Sequence, residues 1–145
     1  MQKRPSLVKI IWIDYVALVA TLFPIMAWGF YVLLLALDKQ TPDTGIATTF
    51  LMITVFSLVI LAWRVRMFFF LFSDGIEASA TISNVFFFRD RGRVDFVFTY
   101  QGQKYGSGNA IHKVKQTKNL KVGDRIVVLI DRNNPKRAYI RDLFL

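Results

Sequence analysis

The chain has 145 residues, which is enough for one small domain and the segments that hold it in a membrane. It contains no cysteine, so disulfide bonds, thiolate metal sites and thiol nucleophiles are excluded. Hydrophobic residues make up 54% of the chain, and its formal net charge is +9. An apolar content above that of a typical soluble domain, combined with a basic balance, indicates a membrane protein with a positively charged polar part.

Two long apolar stretches follow a short basic N-terminus. Residues 15–37 contain no charge over 23 residues, and residues 46–63 contain none over a further 18. A helix rises roughly 1.5 Å per residue, so the stretches reach roughly 34 Å and 27 Å, close to the roughly 30 Å hydrocarbon core of a membrane. The first stretch is too long for a signal-peptide core. We therefore predict a hairpin domain of residues 1–74, with spans of about 10–37 and 46–72.

Basic residues near the predicted spans indicate the orientation. Three lie before the first span, one between the spans and two after the second: Lys3, Arg4, Lys9, Lys39, Arg64 and Arg66. Because Lys and Arg are enriched on the cytoplasmic side, this asymmetry predicts cytoplasmic N- and C-termini, with residues 38–45 outside. We therefore expect a multi-pass protein of the bacterial inner membrane.

Two features at the cytoplasmic ends of the spans predict contacts. Asp14 and Arg66 lie roughly level in an antiparallel hairpin, so we predict a structural ion pair between them, with Arg64 as a further partner. The aromatic run Met67–Phe72 has no helix breaker, so the second helix can continue to a stop at Ser73–Gly75. The run could lie in the membrane interface or pack on the next domain. Simple hydrophobicity of a helix end is the interpretation that we favour.

The C-terminal region, residues 75–145, has the pattern of a soluble antiparallel β domain. Apolar and polar residues alternate over residues 76–83 and 94–101. The alternation is lost at Asn84, which predicts a bulge or a strand that passes under another element. In chain order we predict turns at residues 90–93 and 101–102, a loop at 106–122, a buried strand at 125–130 and a last strand from Ala138. About five short strands predict a small antiparallel β-barrel or sandwich, because closure removes exposed edges.

Four segments of this region stand in the order seen in a known family: Gly75–Ala78, Phe98–Tyr105, Lys121–Asp124 and Val128–Ala138. Over residues 75–141 the chain resembles the bacterial family called domain of unknown function 3592, whose members look like small β domains joined to membrane helices. Its best marker is a Gly-Asp strand that ends in Asp-x-Asn-x-Pro. Arg132 and Ile130 stand where the family often has Pro and Tyr. The resemblance supports the predicted fold and implies no catalytic residue.

No catalytic, cofactor-binding or metal-binding residue is predicted. His112 is the only histidine, so it has no imidazole partner, and we interpret it as a surface loop residue. The segment Gly106–Asn109 lacks the Lys-Ser/Thr pair and the helix of a phosphate-binding loop. Asp124 and Asp131 are typical turn carboxylates. We therefore expect a protein that is not an enzyme and has no cofactor, and no small-molecule substrate is evident.

Charge is the remaining functional signal. Residues 75–145 hold 13 basic and 6 acidic residues, a net charge of +7. Two basic clusters are candidate contacts for lipid or a partner: Arg89, Arg91 and Arg93 on a hairpin tip, and Lys113, Lys115, Lys118 and Lys121 in the predicted loop. Basic residues near a cytoplasmic leaflet are attracted to its anionic lipid. We predict a non-catalytic adaptor whose β domain binds a membrane-protein partner, or a second copy of itself, close to the bilayer.

Two other functions remain open. A membrane-tethered nucleic-acid-binding module is the alternative, because exposed rings on a basic small barrel can stack on bases. The aromatic residues of the strands alternate into the predicted core, which counts against nucleic acid as a partner. An enzyme whose site is completed by a partner is the third hypothesis.

Overall fold

A computed structural model describes residues 4–37 and 44–145. In chain order its elements are α1 (Leu7–Ile13), α2 (Tyr15–Leu37), α3 (Thr44–Asp74), β1 (Ile76–Phe88), β2 (Arg91–Tyr100), β3 (Gln103–His112), β4 (Arg125–Ile130), β5 (Ala138–Ile140) and the single 3-10 turn η1 (Arg141–Leu143). Lys3, Lys39 and residues 38–43 of the predicted outer loop lie outside the described residues. The predicted fold class is confirmed, since two long apolar helices precede a five-stranded antiparallel sheet that is nearly closed into a barrel.

The helices α2 and α3 are both long and apolar enough to cross a membrane. Most of their side chains face outward, as expected where lipid replaces water around a helix. A polar contact joins them near the middle, where Trp28 Nε1 donates a hydrogen bond to Thr54 Oγ1 at 2.8 Å. The helix α3 has 31 residues and reaches roughly 46 Å, which is more than a hydrocarbon core of roughly 30 Å requires.

The first helix is interrupted at Asp14. This residue has extended backbone angles (φ −74°, ψ 114°) between α1 and α2, so the predicted span of about 10–37 is divided into two helices. Asp is a favoured N-cap because its carboxylate accepts from orphan backbone N–H groups, and here Asp14 Oδ1 accepts from Ala17 N at 2.9 Å. The break separates a short helix that packs on the sheet from a long helix with mostly exposed side chains.

The sheet has the strand order β3-β2-β1-β4-β5, and each neighbouring pair is antiparallel. The long strand β1 pairs with β4 through its first half and with β2 through most of its length. The pairing of β1 with β2 shifts register between Ile82 and Asn84, which agrees with the bulge, one of the two predicted explanations for the lost alternation. A bulge bends and twists a strand, and such bending favours closure of a sheet.

The strand β3 corrects the predicted loop over residues 106–122. It continues to His112 and pairs with β2 along its whole length. Gly, Ser and Asn in this segment suggested a loop, but the glycine has a packing role inside the strand. A Cβ on Gly108 would collide with the Asp95 carboxylate and crowd the guanidinium of Arg93, two residues of β2 whose ion pair lies beside this glycine. The first predicted turn is also shorter than expected, because β2 begins at Arg91.

The side chain of Asn109 closes the gap between the two end strands, β3 and β5. Asn109 is 3% exposed, its Nδ2 donates to the Ala138 carbonyl at 2.9 Å, and its Oδ1 accepts from Ile140 N at 3.1 Å. Ser107 Oγ adds a hydrogen bond to the Lys136 carbonyl at 2.9 Å. A buried amide left without such partners costs about 1–3 kcal/mol. Asn109 therefore replaces, with one side chain, the backbone ladder that would complete a barrel.

One hydrophobic core is shared by the sheet and the inner ends of the helices. Ile10 and Ile13 of α1 and Phe68 and Leu71 of α3 are buried together with the inward-facing residues of all five strands. Phe68 lies 4.5 Å from the ring of Phe144, centroid to centroid. One face of the aromatic run, Phe68, Leu71 and Phe72, thus packs on the β domain, and our preferred interpretation of the run as mere helix-end hydrophobicity is wrong. The continuation of the helix beyond Trp63 is confirmed.

Candidate functional site

An ion pair lies at the junction between the helices and the sheet. The Arg64 guanidinium contacts the Asp14 carboxylate through two bonds, Nη2 to Oδ2 at 2.7 Å and Nε to Oδ1 at 3.0 Å. The side chains are 11% and 2% exposed, so the pair is removed from solvent. Breaking a buried ion pair by removing one partner costs about 3–5 kcal/mol, because an uncompensated charge remains. The pair therefore holds the start of α2 against the middle of α3.

Arg64, rather than Arg66, is the partner of Asp14, which corrects the predicted pair. Residues two apart on a helix point roughly 200° apart, so only one of the two arginines can face α1 and α2. Arg66 instead lines a surface cleft with Arg4, Phe69 and Asp74. The sequence predicted that Asp14 lies roughly level with the arginines that follow the second span. Which of the two arginines contacts it depends on the rotation of α3 about its own axis.

Tyr139 of β5 connects this ion pair to the sheet. Arg64 Nη1 donates a hydrogen bond to the Tyr139 hydroxyl at 2.9 Å, and the guanidinium carbon lies 5.2 Å from the centre of the tyrosine ring. Burial raises the pKa of the Tyr139 hydroxyl, while the positive charge of Arg64 acts in the opposite direction. One arginine thus contacts a carboxylate at the helix break and an aromatic residue of the last strand.

The backbone at the helix break also joins the sheet. Asp14 forms an isolated antiparallel bridge with Ile111 of β3. Nearby, Ser6 N donates a hydrogen bond to the Phe144 carbonyl at 2.9 Å, and the Lys9 ammonium contacts the Leu145 carbonyl oxygen. The segment before the first long helix and the end of the chain therefore lie on the same side of the helix pair.

Members of the two predicted basic clusters, Arg89 and Arg91 of the first and Lys113 of the second, are brought together at one end of the sheet. We define the hairpin tip as residues 86–91, at the connection between β1 and β2. Arg91 is paired with His112, and Lys113 N donates to the Asp90 carbonyl at 2.7 Å. The hairpin tip and the start of the loop after β3 thus form one basic surface, although 22 positions separate Arg91 from Lys113 in sequence.

Aromatic rings lie among these basic groups. The guanidinium carbons of Arg89 and Arg91 lie 5.4 Å and 5.7 Å from the centre of the Phe88 ring, and Lys113 Nζ lies 5.7 Å from the centre of Phe87. Phe86 and Phe88 are 60% and 49% exposed. Our expectation that the aromatic residues of the strands point into the core is therefore wrong for these two, although it holds for Phe96 and Phe98.

The remaining predicted basic residues have different surroundings. Arg93 is tied to Asp95 by an ion pair of 2.7 Å. Lys115, Lys118 and Lys121 are exposed in the loop after β3. This loop is folded around Thr117, which is fully buried and whose Oγ1 donates to the His112 carbonyl at 2.8 Å. His112 ends β3 and is half buried, so our interpretation of it as a surface loop residue is wrong.

Sequence reasoning missed three residues at these sites: Asn109, Thr117 and Tyr139. Asn109 carried no usable signal, because the composition of residues 106–109 is typical of a loop and its partners lie in a distant strand. Thr117 carried a local signal, since a threonine hydroxyl commonly bonds backbone groups a few positions away, as here those of His112 and Val114. Tyr139 carried none, because its partner Arg64 is 75 positions away. Within residues 4–37 and 44–145, no group of three or more His, Cys, Asp or Glu side chains could hold a metal ion.

No protein-family model matches the chain, and no curated protein or solved structure matches it either. The resemblance to the domain of unknown function 3592 therefore stays a prediction.

Proposed function

We propose that this chain is a non-catalytic adaptor of the bacterial inner membrane, which presents a rigid basic β domain to a membrane-protein partner or to a second copy of itself. Both termini are cytoplasmic in this proposal. The excess of Lys and Arg before the first span and after the second supports that orientation. The hydrogen bond between Ser6 and Phe144 supports placing both ends on one side.

The observation that carries the proposal is the core that the helices and sheet share. Ile10, Phe68 and Leu71 are almost fully buried among strand residues, and the Asp14–Arg64 pair locks the same junction. A domain on a flexible linker samples many orientations, whereas a domain that shares a packed core with its membrane helices keeps one. A fixed orientation is useful for presenting a surface to a neighbour in the same membrane, because less ordering is then required on binding.

The outer face of the sheet offers a surface for such a neighbour. A groove of about 740 Å³ runs along β1 and β2, lined by polar and apolar side chains that include Glu77, Thr81, Thr99 and Lys104. It lies toward the end of the sheet opposite the hairpin tip, because Thr99 is beside the turn between β2 and β3. The groove is therefore accessible to a protein that approaches from the aqueous side.

Site-specific photocrosslinking in cells tests the adaptor proposal. A photoreactive amino acid at Thr81 or Thr99 should give a discrete protein adduct, whose added mass identifies either a partner or a second copy of 16.8 kDa. The same amino acid at Val55, on the outward face of α3, is the control for reagent activity within the bilayer. Protein adducts at neither groove position, with a reactive Val55 control, would contradict the proposal.

One observation favours the nucleic-acid alternative. Phe86 and Phe88 are exposed beside Arg89 and Arg91, and rings next to basic groups are the usual platform for single-stranded nucleic acid. The position of this surface next to the first residue of α2 favours a different ligand.

A further inference from the structure

The hairpin tip lies beside the start of the first long membrane helix. Asp14, which immediately precedes α2, forms a bridge with Ile111, and Ile111 is paired with Gly92 of β2. Neighbouring strands are about 5 Å apart, so two strand spacings separate the backbone at the helix break from β2. The sheet therefore brings residues 86–91 to the level at which α2 enters the membrane.

The direction of β1 agrees with this placement. The strand begins at Ile76, directly after α3 ends at Asp74. It then runs back toward the level of the helix break at Asp14, until Phe88 is beside Arg91. The opposite turn, at Gln101 and Gly102, lies at the far end of β2. Thr99 lies eight positions after Arg91 in β2, or about 25 Å along the strand. The two ends of one hairpin thus lie at different distances from the membrane.

The side chains of the hairpin tip and of the adjacent loop after β3 suit a membrane interface. Residues 89–95 and 112–118 hold six basic and two acidic residues, and Arg93 and Asp95 neutralise each other. Aromatic rings prefer the headgroup region, where a flat apolar body meets water, and basic groups bind lipid phosphates. Phe86 and Phe88 supply the exposed rings, and Arg89 and Arg91 supply the charge beside Phe88.

The turn between β1 and β2 has an arginine at a position whose backbone conformation suits glycine or asparagine. Arg89 has a φ of 56°, in the left-handed region that glycine and asparagine adopt with less strain. A glycine at this position would satisfy the backbone and remove the charge. The presence of arginine in a strained turn is consistent with a role for its side chain.

We propose that the hairpin tip is a third membrane contact of this protein, which binds the anionic headgroups of the bilayer that α2 and α3 span. Phe86 and Phe88 enter the interface, while Arg89, Arg91 and Lys113 contact lipid phosphates. This inference rests on the membrane location in the proposed function, and it adds the class of ligand. Anionic lipid is favoured over nucleic acid because a headgroup layer beside the start of α2 occupies the space that a nucleic-acid strand would need.

Single-cysteine labelling of the full-length protein tests the contact, since the natural chain has no cysteine. An environment-sensitive fluorophore is placed at Phe88→Cys, at Thr99→Cys on the far end of the hairpin, or at Val55→Cys within α3. Each protein is reconstituted into phosphatidylcholine vesicles, with or without phosphatidylglycerol, that contain brominated lipid as quencher. We expect quenching at residue 88 in the anionic vesicles, little at residue 99, and strong quenching at residue 55 in both.

A matched pair of triple variants separates local charge from total charge. Arg89→Gln, Arg91→Gln and Lys113→Gln together should abolish most of the quenching at residue 88. The control variant Lys104→Gln, Arg132→Gln and Lys136→Gln removes the same charge from exposed positions toward the far end of the sheet and should leave it unchanged. Salt at 1 M should weaken the contact, because the screening length falls to about 3 Å.

The outcomes distinguish this inference from the proposed function. An unquenched residue 88 in anionic vesicles, with residue 55 quenched, overturns the tip contact and leaves the membrane location intact. An unquenched residue 55 contradicts the membrane location itself. Equal quenching of residue 88 in both triple variants overturns the assignment of the basic residues. A response of residue 88 to single-stranded oligonucleotide but not to anionic lipid assigns the tip to nucleic acid and overturns the proposal.

Discussion

Two apolar parts of α3, residues 46–63 and residues 67–72, lie in opposite environments. From Ile46 to Trp63 most large side chains point outward, and Val55, Phe56 and Val59 are 54%, 68% and 61% exposed. From Arg64 to Asp74 the same helix buries Phe68, Leu71 and Phe72 in the core of the sheet. One apolar helix therefore leaves its side chains exposed along one part and packs them on protein along the next. Hydropathy alone does not distinguish the two cases.

The most direct test is whether the first part of α3 lies within lipid. In spheroplasts that express single-cysteine variants, a membrane-impermeant maleimide should not label Val55→Cys at all. It should label Thr44→Cys, at the outer start of α3, in intact spheroplasts, and Phe70→Cys only after permeabilisation. Labelling of Phe70→Cys in intact spheroplasts would show the reverse orientation, and efficient labelling of Val55→Cys would show that this part of α3 is in water.

The largest stability effect should come from the part of α3 that packs on protein. Phe68→Ala should lower the free energy of unfolding in detergent by about 3–5 kcal/mol, because Phe68 is fully buried beside Phe144 and Tyr139. Thermal unfolding followed by circular dichroism measures the change. The control Phe70→Ala, two residues along and 51% exposed, should change stability by less than about 0.5 kcal/mol. Equal losses for both variants would contradict the two environments.

The boundary between the two parts of α3 is marked by the Asp14–Arg64 pair. Asp14→Asn and Arg64→Gln should each destabilise the protein by about 3 kcal/mol, and the double variant should cost less than the sum by about 1–3 kcal/mol. Asp14→Asn combined with Arg66→Gln serves as the control and should be additive within about 0.5 kcal/mol, because Arg66 lies on another face of α3. Additivity in the Arg64 cycle would mean that this pair does not couple the helices.

The smallest expected effect concerns alkaline pH. The pKa of Tyr139 is raised above its ordinary 10.0 by burial, so the folded state holds this proton more tightly than the unfolded state. The contribution of this pKa difference to the free energy of unfolding is complete below pH 10 and is lost as the pH rises through the pKa of the folded state. Tyr139→Phe should therefore flatten part of the fall in stability above pH 10. An identical pH profile for both proteins, measured by chemical unfolding, would contradict burial of the hydroxyl.

Local pattern was enough to predict much of the fold. The lengths of the two apolar runs predicted two membrane helices, and the alternation over residues 76–83 and 94–101 predicted β1 and β2. The loss of alternation near Asn84 predicted a bulge as one of two explanations. These features depend on periodicity within one element, which the order of residues contains directly. The segment Gly106–His112 was misassigned, since its composition resembles a loop and its pairing with β2 is a contact with a distant strand.

The sequence by itself determined that this protein has two apolar helices long enough for a membrane and a basic antiparallel β domain. Tertiary structure alone decided that the helix breaks at Asp14, that Arg64 rather than Arg66 meets it, and that Asn109 closes the sheet. It also decided that Arg89, Arg91 and Lys113 form one surface, close in the sheet to the start of α2. Each of these depends on which distant residues come within a few ångströms, and that is set by packing of the whole core rather than by any local pattern.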